Sequence, residues 1–115
     1  MEVNINNNLF NVISVITRKD IENGMTGKKF NNDFNGMLFV MSPRSHKFWM
    51  KGCLSSLDIL FIKDLKVNRI HKNCPPCRED VCPTYEGVGD LVLEINGGDC
   101  DKYDIKEGDS VFIKD

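Results

Sequence analysis

The apolar residues of the chain fall into short runs separated by polar and turn-forming residues. The densest of these runs lies within residues 46–62, which hold the only tryptophan, and we expect the remaining elements to pack around it. The runs are rich in β-branched and aromatic residues, which is typical of β-strands. The predicted strands are Leu9–Thr17, Gly36–Met41, Phe48–Met50, Leu57–Ile62, Val67–His71, Leu91–Ile95 and Ser110–Ile113.

The segments between these runs carry turn signals. The spacing of residues 57–62 and 67–71 predicts an antiparallel hairpin with a turn at Lys63–Lys66. Pro43 is expected to end the strand that begins at Gly36, because proline cannot donate to a β-ladder. Residues 18–34 are predicted to be irregular, either one short helical turn or a long connection, and 99–105 to form one helical turn. Cys74–Gly89 holds three of the four prolines and is predicted to be a long ordered loop.

Several short strands with turns between them predict an all-β fold, a sandwich or barrel with at most short helical turns. A chain of 115 residues is long enough for one domain with an ordinary core. Because residues 4–8 are rich in asparagine, we predict a flexible N-terminal tail over residues 1–8 and a single β-rich domain over 9–115.

Charge and hydropathy exclude several classes of function. The net charge of −2 gives no general attraction to nucleic acid or to anionic membranes. No window approaches about 18 consecutive apolar residues, so no spanning helix is predicted. The first residues lack the pattern of a secretory leader, and we therefore expect a soluble cytoplasmic protein. No cofactor is predicted.

The five cysteines allow more than one interpretation. Cys74 and Cys77 flank two prolines, whose polyproline geometry separates the α-carbons by about 9 Å, more than the roughly 4.4–6.8 Å of a disulfide. Cys77 and Cys82 have no such obstacle and are candidates for a disulfide, although a reducing cytoplasm argues against one and two free thiols are an equal alternative. Zinc held by Cys74, Cys77, Cys82 and His71 is a weaker alternative, and no metal site is predicted.

Charged residues inside apolar strands indicate where a site would lie. Asp58 and Glu94 would be costly to bury unless each were paired, so they predict a polar cluster in a pocket walled by Trp49 and Phe48. The alternative is that strand alternation points both carboxylates to solvent. The predicted ligand-binding residues are Arg44, Trp49, Lys51, Asp58, Tyr85 and Glu94.

The chain resembles domain of unknown function family 192, a family of small β-rich proteins. The resemblance rests on ordered motifs over about residues 9–114: Gly36-Met-Leu-Phe-Val40, Phe48-Trp-Met-Lys51, Leu57-Asp-Ile59, Pro75-Pro-Cys77, Cys82-Pro-Thr-Tyr85 and Val92-Leu-Glu-Ile-Asn-Gly97. It implies a compact jelly-roll or barrel fold and no established activity.

Under this resemblance the chain departs from the family pattern at Cys74, where a small residue is usual, and at three further places. Gly52-Cys53 replaces the usual Asn-Thr, Ser56 replaces a common proline, and Gly24-Met-Thr-Gly-Lys28 is a reduced form of a family signature. If the missing side chains contact a ligand in relatives, we expect that ligand to be altered or lost here.

Three functional hypotheses remain open from sequence. The first is a binding module for a small polar or anionic ligand near Trp49. The second is an enzyme with Asp58 or Glu94 as general acid or base, which we favour less because nothing in the sequence specifies a reaction. The third is a structural or protein-interaction domain without a small-molecule site.

Overall fold

Seven β-strands and two short helices make up the structure, a computed structural model that describes all 115 residues. The all-β class is therefore confirmed. The elements are β1 Glu2–Ile5, β2 Asn8–Val15, α1 Arg18–Asn23, β3 Gly36–Trp49, β4 Leu57–Lys63, β5 Lys66–Cys74, β6 Thr84–Asn96, α2 Asp99–Lys102 and β7 Val111–Lys114. No helix of this fold is both long enough and apolar enough to cross a bilayer.

The strands form one curled sheet in the order β5-β4-β6-β3-β2-β1-β7. Neighbours are antiparallel except for β2 and β3, which run parallel. The two edges meet at one end, where the Val67 N–H donates to the Asp109 carbonyl at 2.9 Å and the Val111 N–H donates to the Leu65 carbonyl at 2.8 Å. The result is a half-barrel, and the finer expectation of a jelly roll is not confirmed.

The predicted hairpin of residues 57–62 and 67–71 is confirmed as β4 and β5. Its turn is tight because Asp64 and Leu65 both adopt positive φ, 52° and 56°. This geometry matches the right-handed twist of the flanking strands.

Strands β3 and β6 are longer than the sequence indicated. Pro43 does not end β3, because it lies where the β3–β6 register shifts between Val40 and Arg44, and a bulge tolerates a residue that cannot donate. Strand β6 begins at Thr84, inside the predicted loop, and its first half pairs with residues 44–49 of β3. These two half-strands form an arm that bends over the sheet.

The arm packs closely on β4. A Cβ built on Gly87 of β6 would lie 2.3 Å from the ring of Phe61, and one on Gly89 would lie 2.4 Å from the Ile62 carbonyl oxygen. Glycine at both positions is therefore what lets the arm approach the sheet.

The N-terminal residues are not a tail, which corrects the sequence prediction. Glu2–Ile5 form β1, between β2 and β7, and Val3 and Ile5 are completely buried. Asn6 and Asn7 adopt positive φ in the β1–β2 turn, so the asparagines of this segment serve a hairpin turn.

Apolar side chains cover both faces of the central strands. One core contains Leu38, Leu60, Leu93 and residues of β1, β2 and β7. The other contains Phe39, Phe61, Val92, Met25, Met50 and the cysteines at 53, 74, 77 and 82. Six consecutive residues of β4, Leu57–Ile62, are buried for this reason, since a strand covered on both faces shows no alternation.

Candidate functional site

A cavity of about 470 Å³ opens beside the second core, between α1, β3 and the two ends of β6, which contribute Thr84 and Glu94. This volume falls within the range of small-molecule sites. Phe39, Met41 and Phe48 of β3 form one wall, and Met25, which follows α1, is part of the opposite side.

Helix α1 begins at a capping interaction. Thr17 Oγ1 accepts a hydrogen bond from the Asp20 N–H at 3.2 Å, and the helix ends at Gly24, whose φ is 46°. A short helical turn was one of the two alternatives for this segment, and the helix brings the residues after it, including Met25, to the cavity.

Glu94 of β6 is the buried acid of this cavity. Its side chain is only 3 % exposed, and in the sheet it lies between Met37 of β3 and Ile59 of β4. No cation or hydrogen-bond donor of the protein offsets the loss of water around the carboxylate, and burial therefore raises the pKa of Glu94 to about 8. At neutral pH most of the Glu94 side chains are protonated and uncharged.

Cys53 and His46 are two of the four further titratable residues that line the cavity. Cys53 is a free buried thiol, and burial followed by the nearby Glu94 charge raises the pKa of Cys53 to about 11. His46 is 9 % exposed, and its Nε2 lies 2.7 Å from the Ser42 carbonyl oxygen. The thiol therefore stays protonated at neutral pH, which makes it a poor nucleophile.

The rim of the cavity is more polar and includes the tryptophan. Trp49 is 49 % exposed, and Lys51 Nζ stands 5.4 Å from its ring centroid. Glu22, Lys47 and Thr84 complete this part of the lining. The site thus combines a buried acidic floor, apolar walls and a charged entrance.

Of the six predicted site residues, the structure brings Trp49 and Glu94 together at the cavity. Arg44, Lys51, Asp58 and Tyr85 do not line it. The six residues therefore do not converge on one cavity, and their ligand-binding role stays a prediction.

Asp58 lies on the opposite face of the sheet from Glu94, because Ile59, and not Asp58, is the register partner of Glu94. Asp58 is completely buried, but its carboxylate is satisfied: Oδ1 accepts from the N–H groups of Asn73 and Gly98, and Oδ2 accepts from that of Cys100. These contacts, at 2.8–3.1 Å, join the end of β5 to the start of α2. Asp58 is therefore used by the fold.

The three other residues are separated from the cavity in different ways. Arg44 is exposed where β3 resumes pairing after the bulge, opposite Gly89. Lys51 is exposed and covers Trp49 from outside. Tyr85 packs edge-on against His71, with ring centroids 5.4 Å apart, and burial raises its pKa.

The cysteine loop is joined to the segment that carries Cys53. Cys77 and Cys82 form a disulfide, with α-carbons 5.9 Å apart, while Cys74 is a free buried thiol. The Cys77 N–H donates to the Met50 carbonyl and the Gly52 N–H donates to the Cys77 carbonyl, both at 3.2 Å. No group of three or more His, Cys, Asp or Glu side chains is arranged to hold a metal ion.

Sequence reasoning missed much of the lining. Met25 follows α1 in a segment predicted to be irregular, Cys53 was not among the predicted site residues, and Thr84 was placed in a loop. A lone methionine in a polar segment was the available signal for Met25. The bend of the β3–β6 arm, which brings Thr84 to the cavity, has no signal in local sequence.

Comparison with known proteins places the chain in a family. The model of domain of unknown function family 192, described as "Uncharacterized ACR", matches residues 1–113. The chain belongs to this family. The resemblance seen in the sequence motifs is thereby confirmed.

Two solved structures share the fold of this family 192 protein. A protein of unknown function from Novosphingobium aromaticivorans DSM 12444 is 28 % identical with a TM-score of 0.86, and the match covers 98 % of this chain and 84 % of that one. A putative transcription regulator from Sinorhizobium meliloti 1021 is 24 % identical with a TM-score of 0.82, over 96 % and 91 % of the two chains, and supports the fold alone. None of the curated proteins compared matches the chain.

The two segments that the resemblance led us to expect as departures, residues 24–28 and 52–53, are in contact with each other. Thr26 and Cys53 form an isolated β-bridge, and the Gly27 N–H donates to the Gly52 carbonyl at 3.0 Å. A Cβ on Gly52 would lie 2.8 Å from Thr26 Cγ2, and Gly52 has a φ of 76°. Gly52 and residues 24–28 therefore fit one another, and Gly24, Met25, Thr26 and Cys53 of these two segments line the cavity.

Proposed function

We propose that this family 192 protein binds a small polar ligand in the cavity beside Trp49. The observation that carries the proposal is Glu94, a buried carboxyl without a protein partner, which borders a cavity of about 470 Å³. Burying such a group costs free energy that the fold does not recover internally. A ligand that hydrogen-bonds to it recovers part of that cost.

The character of the lining supports a ligand with both apolar and polar parts. Phe39, Met41, Phe48 and Met25 offer an apolar surface, while Thr84 and Glu94 offer hydrogen-bonding groups. Sites of this kind gain affinity from apolar contact and orientation from a few polar groups. An acidic floor favours a hydrogen-bond donor over the anionic ligand that the sequence analysis also considered.

Titration of the protein with a panel of small polar metabolites tests this function. Saturable quenching of Trp49, with matching heats in isothermal titration, is the expected result for one ligand class. Thr84→Phe should obstruct the cavity and weaken binding at least about tenfold, whereas Val88→Phe, an exposed position of the same strand that does not line the cavity, should leave binding unchanged. A panel without any saturable ligand, or equal effects of the two variants, would contradict the proposal.

A second candidate is acid–base catalysis at the same site, because burial brings the pKa of Glu94 close to neutral pH. Asp58 is not part of this version, since its carboxylate already accepts three backbone hydrogen bonds. Ligands found in the titration should be incubated with the protein and analysed for products by mass spectrometry. Catalysis predicts turnover that Glu94→Gln abolishes, and unaltered ligand in every incubation would reject it.

A further inference from the structure

Glu94 is an acid without a counter-ion in an aromatic and sulfur-rich cavity. The three ion pairs of the protein are Arg18–Glu22, Lys72–Asp101 and Lys106–Asp104, so no lysine or arginine is paired with Glu94. The only influence that shifts its pKa is burial. The carboxyl group therefore borders the cavity without a partner from its own chain.

The walls around this carboxyl suit a positive charge. Phe39, Phe48 and Trp49 line the cavity, and aromatic faces attract ammonium groups by cation–π interaction. The structure shows this affinity at the rim, where Lys51 Nζ lies over Trp49. Met25 and Met41 add flexible, polarisable apolar surface that adapts to a hydrocarbon body.

We propose that the cavity binds an organic cation, an amine with an apolar body, whose ammonium group pairs with the Glu94 carboxylate. This inference rests on the proposed function and names the ligand class for it. The pair is a charge-assisted hydrogen bond, stronger than the bond that a neutral hydroxyl would make at the same place.

Proton balance gives the proposal a distinctive signature. The free protein holds Glu94 mainly as the neutral acid, and the bound ammonium requires the carboxylate, so binding releases one proton from Glu94 to solvent. The amine keeps its own proton throughout. Affinity for the amine should therefore fall about tenfold for each pH unit below the pKa of Glu94.

The other titratable groups near Glu94 do not produce this pH dependence. Cys53 and Cys74 are thiols whose pKa burial raises to about 11, so both stay neutral over the range concerned. His46 of β3 borders the cavity, and Glu22 of α1 and Lys47 of β3 stand at its rim. Histidine is the side-chain type that most often acts as a pH switch, so its contribution has to be separated from that of Glu94. His46→Gln therefore serves as a control for the pH profile.

Three probes of similar shape and different charge test the ligand class: benzylamine, benzyl alcohol and benzoate. Each is titrated into the whole protein at about pH 7.5, with Trp49 fluorescence and isothermal titration as readouts. Benzylamine should bind at least about tenfold more tightly than benzyl alcohol, and benzoate should bind most weakly. Titration in buffers of different ionisation heat should show the release of most of one proton with benzylamine only.

Glu94→Gln is the decisive variant, because glutamine has the shape of the neutral acid but cannot become an anion. It should remove the advantage of benzylamine, change benzyl alcohol affinity less than about twofold and abolish proton release. Glu86→Gln, an exposed position on the same strand, should behave like the wild type. The pH profile and proton release of the wild type test the proposal even if the variant folds poorly.

The outcomes separate this inference from the proposed function. Equal binding of amine and alcohol, or binding of the amine without proton release, would overturn the organic-cation ligand while leaving a binding cavity. Failure of all three probes would reject the inference. Rejection of the proposed function itself would follow from failure of the wider metabolite panel.

Discussion

Replacing Glu94 with glutamine should make the protein more stable at alkaline pH. Burial raises the pKa of Glu94 from its ordinary 4.5 to about 8, because burial disfavours the charged form and no cation or hydrogen-bond donor of the protein compensates. The carboxyl is 3 % exposed, so solvent screening reduces this effect little. Glutamine keeps the shape of the protonated acid and has no charge to remove from water.

The direction of the effect follows from proton binding in the two states. Below pH 4.5, Glu94 is protonated in both the folded and the unfolded chain, so the wild type loses no stability at this residue. Between pH 4.5 and about 8 the folded chain binds one proton more than the unfolded chain, and stability falls as pH rises. The loss is between about 1 and 2 kcal/mol for each pH unit, and it totals on the order of 4 kcal/mol.

Urea denaturation at a series of pH values measures this loss of stability. The difference in free energy of unfolding between Glu94→Gln and the wild type should be small near about pH 4.5 and should grow by about 3 kcal/mol between about pH 5 and pH 8. Taking this difference cancels the contributions of the other titratable groups to stability, because both proteins contain the same groups. Glu86→Gln, exposed on the same strand, should show no such trend.

A flat difference across this pH range would refute the reasoning. It would mean that Glu94 keeps an ordinary pKa in the folded protein, through water or a cation that reaches it. The proton release expected when an amine binds would then be absent as well.

Three further predictions concern the fold that holds the cavity. Gly87→Ala makes a methyl group clash with the ring of Phe61 and should lower the free energy of unfolding, measured by urea denaturation, by about 3 kcal/mol. The control Val88→Ala should cost less than about 1 kcal/mol. Similar costs for the two variants would contradict the packing of the arm. Asp58→Asn leaves three backbone N–H donors with one acceptor oxygen and should lower the free energy of unfolding by about 3 kcal/mol. The control Asp64→Asn, in the exposed turn, should change it little. An Asp58→Asn variant as stable as the wild type would reject the structural role of Asp58. Reducing the disulfide should lower the free energy of unfolding by about 2 kcal/mol, and an unchanged urea midpoint with and without dithiothreitol would contradict this.

Local sequence was enough to predict the strand class and the central hairpin. Residues 57–62 and 67–71 are apolar or β-branched runs at a spacing that a short turn can close, and this information is complete within the segment. The strand ends were predicted less well. Pro43 looked like a stop because the register shift that accommodates it depends on β6, some fifty residues away in sequence.

The candidate site, like the strands, could be predicted from sequence only in part. Both buried carboxylates could be suspected from sequence, because each interrupts an apolar strand. The sequence could not show which of the two is hydrogen-bonded in the folded protein. Asp58 meets three backbone N–H groups on one face of the sheet, and Glu94 meets none on the other.

The sequence by itself determined the class of the fold, the family and the places where charge enters apolar strands, because strand propensity, turn chemistry and motif order are local or linear properties. Tertiary structure alone decided which of those charges are satisfied. It set the pairing register that puts Asp58 and Glu94 on opposite faces, the bend at Gly87 and Gly89 that carries the arm over the sheet, and the position of α1 beside that arm. Each of these depends on contacts between residues far apart in the chain, which is why the cavity with its unpartnered Glu94 emerges only after folding.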